Sequence, residues 1–180
     1  MFELMNKMYD VIIYIGCIDF IVYVRGGSHS KCVSNEIMGI IIEANRLTEE
    51  EIMHSRLLIY MRAIQAIREP KSVGRPLAEA LLACKPNRRS MKLEQIFNNI
   101  LDTLPDGVVI KDIDVMFNPD YKVDVLKILM ASRKRKRYSV IWPGRCEDGK
   151  LIYGEEGFPD YKTYDIENYD ITCMIGGYGK

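Results

Sequence analysis

The chain alternates short apolar runs with longer stretches in which apolar residues recur every three or four positions. Asp19-Phe-Ile-Val-Tyr-Val24, Val108-Val-Ile110 and Tyr138-Ser-Val-Ile-Trp142 are rich in β-branched and aromatic residues, and Gly26-Gly27 and Pro143-Gly144 close the first and third. Such runs read as buried, parallel strands of one sheet. The helical period fills the intervals. Lys31 to Ala44 carries Val33, Ile37, Ile40, Ile41 and Ala44, a segment opened by Thr48-Glu-Glu-Glu51 carries Met53, Leu57, Tyr60, Ile64 and Ile67, and a segment capped by Ser90 carries Leu93, Ile96, Phe97, Ile100, Leu101 and Leu104. The spacing predicts three helices, the second set as a helical insertion over about 46–72. A helix is also expected over 2–16, running towards a strand, with others over 76–83 and 121–133. A short strand is expected at Ser72-Val73 and a last one within 169–175. Residues 145–164, dense in Gly, Asp, Glu and aromatics, read as a long ordered loop with a small hairpin at 150–153.

Strands alternating with helices of this length predict one α/β domain over residues 1–180, with a mostly parallel sheet covered by helices on both faces. Composition agrees: of 180 residues 48% are hydrophobic, and 25 acidic side chains balance 25 basic ones. That balance excludes a generally basic nucleic-acid binder, so any such surface must be local. Five scattered cysteines without a C-x-x-C pair, and two histidines, argue against a zinc site or a disulfide framework. The apolar opening of the chain is interrupted by Glu3, Lys7, Asp10 and Asp19, which makes it too short to span a bilayer. A cytoplasmic protein with no membrane association is the expectation.

The first predicted strand runs into Arg25-Gly-Gly-Ser-His-Ser-Lys-Cys32. A phosphate loop has the form G-x-x-x-x-G-K-[ST], in which glycines admit the backbone to phosphate, lysine neutralises it and the hydroxyl holds Mg²⁺. Counted back from Lys31, the glycine positions hold Arg25 and Ser30, and the hydroxyl position holds Cys32. Gly26, Gly27, Ser28, His29, Ser30, Lys31 and Cys32 are thus the candidate residues for binding ATP. A thiol is a poor ligand for Mg²⁺, which asks for oxygen. The plainer alternative is a Gly-Gly turn with an exposed lysine. The second element of such a site is a carboxylate at the end of a neighbouring strand. Asp112 and Asp114 follow Val108-Val-Ile110; they share a side if that strand continues, and Asp112 is the candidate metal ligand.

Leu77-Ala-Glu-Ala-Leu-Leu82 with Arg88-Arg89, Ile113-Asp-Val-Met-Phe-Asn-Pro119, Leu126-Lys-Ile-Leu129 with Ser132-Arg-Lys-Arg135, Val140-Ile-Trp-Pro-Gly144 and Tyr153-Gly-Glu-Glu-Gly-Phe-Pro-Asp-Tyr161 follow one another along the chain. In that order they resemble BrxF, the small P-loop proteins of BREX anti-phage systems. The resemblance covers most of residues 20–164 and implies a P-loop fold, a place in phage defence and partners among other BREX proteins. Two departures bear on chemistry. The family's loop carries Gly-Lys-Thr or Gly-Lys-Ser where this chain has Ser-Lys-Cys, and its strand-end aspartate falls on Lys111, with Asp114 in place of a later glutamate. The resulting expectation is a degenerate phosphate loop with weak or absent nucleotide binding, acting in a larger assembly. Two alternatives stay open: a small ATPase using Lys31 with Asp112 or Asp114 and Mg²⁺, and a DNA-binding adaptor.

The adaptor reading rests on Arg133-Lys-Arg-Lys-Arg137, five consecutive cations. They would grip DNA phosphates without reading sequence, dock a partner, or reach a nucleotide's γ-phosphate. The plainer reading is a solvated helix end whose cations complement the dipole.

Overall fold

The computed structural model describes residues 39–43, 56–61, 66 and 68–175, all within one compact unit spanning 37–180. The predicted helix over 2–16, strand over 19–24 and loop over 25–32 lie outside these residues. So do both histidines.

Six described strands form one sheet: β1 (Ile40–Glu43), β2 (Leu57–Tyr60), β3 (Lys71–Ser72), β4 (Val108–Lys111), β5 (Tyr138–Ile141) and β9 (Ile171–Ile175). Their order across the sheet is β1-β9-β2-β5-β4-β3, and every pairing is parallel. The protein is therefore α/β with a parallel sheet, as the alternation of periods predicts. Helices α1 (Gly74–Leu82) and α2 (Arg89–Thr103) join β3 to β4, and α3 (Val125–Arg133) joins β4 to β5. A separate antiparallel sheet of β6 (Arg145–Glu147), β7 (Lys150–Tyr153) and β8 (Lys162–Asp165) is inserted between β5 and β9.

Alternation along each strand divides the core in two. Leu57, Ile59, Val108, Ile110, Tyr138, Val140, Ile171 and Cys173 face Leu77, Leu93, Phe97, Leu101, Leu126 and Leu129 of the helices. Leu58, Tyr60, Val109 and Met174 form a second cluster on the opposite face, with Ala66 and Ile141 against it. All the described helices pack on the first face. Among the described residues no helix packs on the second face, where helices were also expected. Leu58, Tyr60, Val109 and Met174 are nonetheless at most 1% exposed, so both faces are dry. Burying a side chain of this size contributes about 1.5–3 kcal/mol.

Four expectations are corrected. Ile40–Glu43 are strand β1 rather than the second half of a helix, because three successive isoleucines pair with Thr172 to Met174 of β9 and β-branched side chains suit that pleat. Leu57–Tyr60 are strand β2, and none of the described residues of the segment 46–72 is helical, so the expected helical insertion is not found there. All four side chains of β2 are buried, two on each face, and β9 and β5 flank the strand. A helix stripe would bury one side only. Ser90 lies inside α2, whose N-cap is Arg88 with no side-chain capping bond. Finally, residues 145–164 hold the three antiparallel strands rather than a loop with one hairpin. The helix expected over 121–133 begins at Val125, where Asp124 caps it by accepting from Lys127 N at 3.0 Å. Among the described residues, no helix is long and apolar enough to cross a membrane.

Candidate functional site at the carboxyl edge of the sheet

In an open parallel sheet, ligands bind beyond the carboxyl ends of strands, where neighbouring connections leave in opposite directions. That point lies between β2 and β5, since the chain leaves β2 towards β3 and leaves β5 towards β9. Two backbone bonds extend the pairing there, Trp142 N to Tyr60 O at 2.8 Å and Met61 N to Met174 O at 3.2 Å.

The Trp142-Pro143-Gly144 turn leaves β5 at this edge. The Trp142 indole is 2% exposed and donates from Nε1 to Ile152 O at 2.9 Å. A Cβ on Gly144 would strike that same carbonyl, so glycine is what lets the turn press against β7. Phe117 stands edge-on to Trp142 with ring centres 5.4 Å apart and stacks on Tyr153 at 3.8 Å. Tyr164 meets Trp142 edge-on at 5.8 Å, and Tyr169 donates to Asp124 Oδ2 at 3.0 Å. This aromatic seam joins the small sheet to the ends of β4 and β5. Burial, then the bond to Asp124, push the Tyr169 hydroxyl up to about 12. The seam is structural chemistry, with hydroxyls held protonated.

Asp112 and Asp114 stand at this edge too, but apart. β4 ends at Lys111, and Val73 N donates to Lys111 O at 3.1 Å. Asp112 then turns into the left-handed region, at φ 62°, and its carbonyl lies against Gly74, where an added Cβ would sit 2.7 Å away. Ile113 dives into the core at 0% exposure, and Asp114 opens the 3₁₀ turn Asp114–Phe117. β4 stops before Asp112, so the condition under which the two carboxylates would share a strand face is not met. Both are exposed. Burial, then the charges of Asp114 and Asp160, raise the hydroxyl pKa of neighbouring Tyr153. Among the described residues, no three His, Cys, Asp or Glu side chains are grouped as a metal site.

The run Arg133 to Arg137 is at the other end of the sheet. It precedes β5, whereas Asp112 and Asp114 follow the parallel β4. Four strand residues at about 3.3 Å each separate these edges by on the order of 13 Å. The expectation that an arginine of this run reaches a nucleotide beside those aspartates is therefore corrected. Its cations bind the chain's own helix end instead. Lys136 Nζ donates to Leu101 O at 2.6 Å and also to Leu104 O, Arg135 pairs with Asp102 at 3.3 Å, and Arg137 bonds Asp106 through Nε at 2.8 Å. These close the carboxyl end of α2, where orphan carbonyls and a partial negative charge draw cations. The dipole reading holds at α3, whose last turn carries Arg133 and whose C-cap is Lys134, and the rest of the run serves the end of α2 as well. Lys134 is exposed, and Arg133 is half-buried, its pKa lowered chiefly by burial.

Sequence reasoning missed two exposed features. One is Phe158, on the loop after β7; the other is the pair Leu82 and Met91 around the α1–α2 turn. The signal was compositional: residues 154–161 have three carboxylates and no cation, and residues 79–94 have four cations against two carboxylates, Glu79 and Glu94, at the ends of the stretch.

No family model, curated protein or solved structure matches the chain.

Proposed function

We propose that this chain is a P-loop-type α/β protein that binds nucleoside triphosphate weakly or not at all and works as a non-hydrolysing member of a larger, cytoplasmic phage-defence assembly of the BREX type. One observation carries the chemical part. The strand at the reversal of connections is β2, and residues 61–70 after it, Met-Arg-Ala-Ile-Gln-Ala-Ile-Arg-Glu-Pro, contain no glycine, lysine or hydroxyl. A phosphate cradle needs glycines for the closest backbone approach and a hydroxyl for Mg²⁺, and this segment, although it carries Arg62 and Arg68, has neither. The loop that retains glycines and a lysine, 25–32, lies earlier in the chain and has Cys32 where the hydroxyl should follow its lysine. β4 stops short of Asp112 and Asp114, so no continuing strand aligns their carboxylates; that supports the same reading, since an attacking water and Mg²⁺ need carboxylates converging on one point.

Calorimetry with Mg·ATP tests it. Unmodified protein is expected to show weak or no heat, Lys31→Ala none, and Cys32→Thr a gain that depends on Mg²⁺. Steady ATP turnover by the unmodified, isolated chain would overturn the proposal.

A further inference from the structure

Among the described residues, the three most exposed large apolar side chains are Met91 at 75%, Leu82 at 67% and Phe158 at 60%. They fall on two surfaces of opposite charge. Leu82 and Met91 flank the α1–α2 turn with Lys85, Arg88, Arg89 and Lys92, which outnumber the exposed Glu79 and Glu94 bordering them, and Phe158 crowns the loop after β7 among Glu155, Glu156 and Asp160, with Arg145 at its base. A solvated apolar residue has a small cost, and single ones are ordinary. Apolar side chains rimmed by uncommitted charge predominantly of one sign are the mark of a docking surface.

The charges here are uncommitted. No ion pair or side-chain hydrogen bond among the described residues engages Lys85, Arg88, Lys92, Glu155 or Glu156, in contrast to the run 133–137, where three cations are held by α2. Both surfaces are also set in advance. Phe158 N donates to Glu155 O at 3.2 Å, Tyr161 N to Phe158 O at 3.1 Å, and Arg145 fastens Gly154 O at 3.1 Å. On the other surface Arg88 N donates to Lys85 O at 2.9 Å, and Arg89 Nε to Cys84 O at 3.3 Å. Little order remains to be gained on binding, which lowers its entropic cost.

We infer that the two surfaces are complementary halves of one interface, and that a second copy of this chain is the partner. The Phe158 loop of one copy docks between Leu82 and Met91 of the other, its carboxylates facing Lys85, Arg88 and Lys92. Each surface presents what the other lacks in shape of charge and in apolar anchor, and an interface between different patches of identical chains is heterologous. The inference is independent of nucleotide chemistry and is read by mass, so its failure and that of the nucleotide proposal are separable.

Sedimentation of the full chain over a range of concentrations and salt tests it. At low salt the mass should rise with concentration above the 20.8 kDa of one chain, and return to it at high salt. Phe158→Ala, the pair Glu155→Lys with Glu156→Lys, and the pair Arg88→Glu with Lys92→Glu should each weaken association about tenfold or more. All these side chains are exposed, so circular dichroism and melting should match the unmodified protein. Combining the two charge reversals in one chain should restore association. A single 20.8 kDa species at every concentration, association indifferent to Phe158→Ala, or a doubly reversed chain that stays apart would overturn the inference. Binding only nucleic acid or a different protein, with no self-association, would do the same.

Discussion

A methyl group on Gly144 would collide with the Ile152 carbonyl, the same oxygen that takes the Trp142 indole proton. One atom thus receives both ends of the Trp-Pro-Gly turn, which explains the residue types at its first and last positions. Gly144→Ala should cost about 1–3 kcal/mol through forced displacement of β7, seen as a lower urea midpoint at unchanged slope. Unchanged stability would mean that the turn has room the geometry denies. Asp112 illustrates a different residue-scale effect: at φ 62° it uses the tolerance of Asp for the left-handed region, and that kink parts it from Asp114.

At the scale of elements, the carboxyl end of α2 is the best-fastened junction in the described chain. Lys136 satisfies two of its carbonyls, and Arg135 and Arg137 hold Asp102 and Asp106 beside it. The Arg137 hydrogen bond holds the Asp106 carboxyl below its ordinary 3.8. A depressed carboxylate contributes stability above its unfolded pKa and loses it as pH falls through the folded value. Stability from this pair should therefore be constant near neutrality and fade below about pH 4. Because both side chains are half exposed, the effect is small. Arg137→Gln should move the Asp106 titration, followed by carboxyl NMR, up towards 3.8; an unmoved midpoint would contradict the pairing.

Across the whole molecule, the sheet is organised around β2, and β2 was the element least legible in the sequence. Leu57-Leu-Ile-Tyr60 and Ile40-Ile-Ile42 are continuous apolar runs inside windows that also satisfy a three-to-four spacing, so both periods fit them. Pairing with β9 and β5, distant in sequence, decides between the periods. By contrast Val108 to Ile110, Tyr138 to Trp142 and Ile171 to Ile175 carry no competing period and read correctly as strands. The small sheet was legible only at β7, because cross-strand pairs such as Lys150 with Asp165 at 3.3 Å place charges where alternation would show. For the candidate site, sequence located the strand end bearing Asp112 and Asp114 but not the left-handed turn between them and Lys111. It marked the basic run as a surface without revealing that α2 ends beneath it.

On the function proposed above, the carboxyl edge around β2 does not cradle a triphosphate. Hydrogen–deuterium exchange of the full chain, with and without millimolar Mg·ATP, tests it most directly, because it reports binding residue by residue. No change in exchange is expected over residues 61–70 or 111–114, and at most a slight one over 25–32. Strong ATP-dependent protection of 61–70 or 111–114, or of 25–32 in a form abolished by Lys31→Ala, would contradict it.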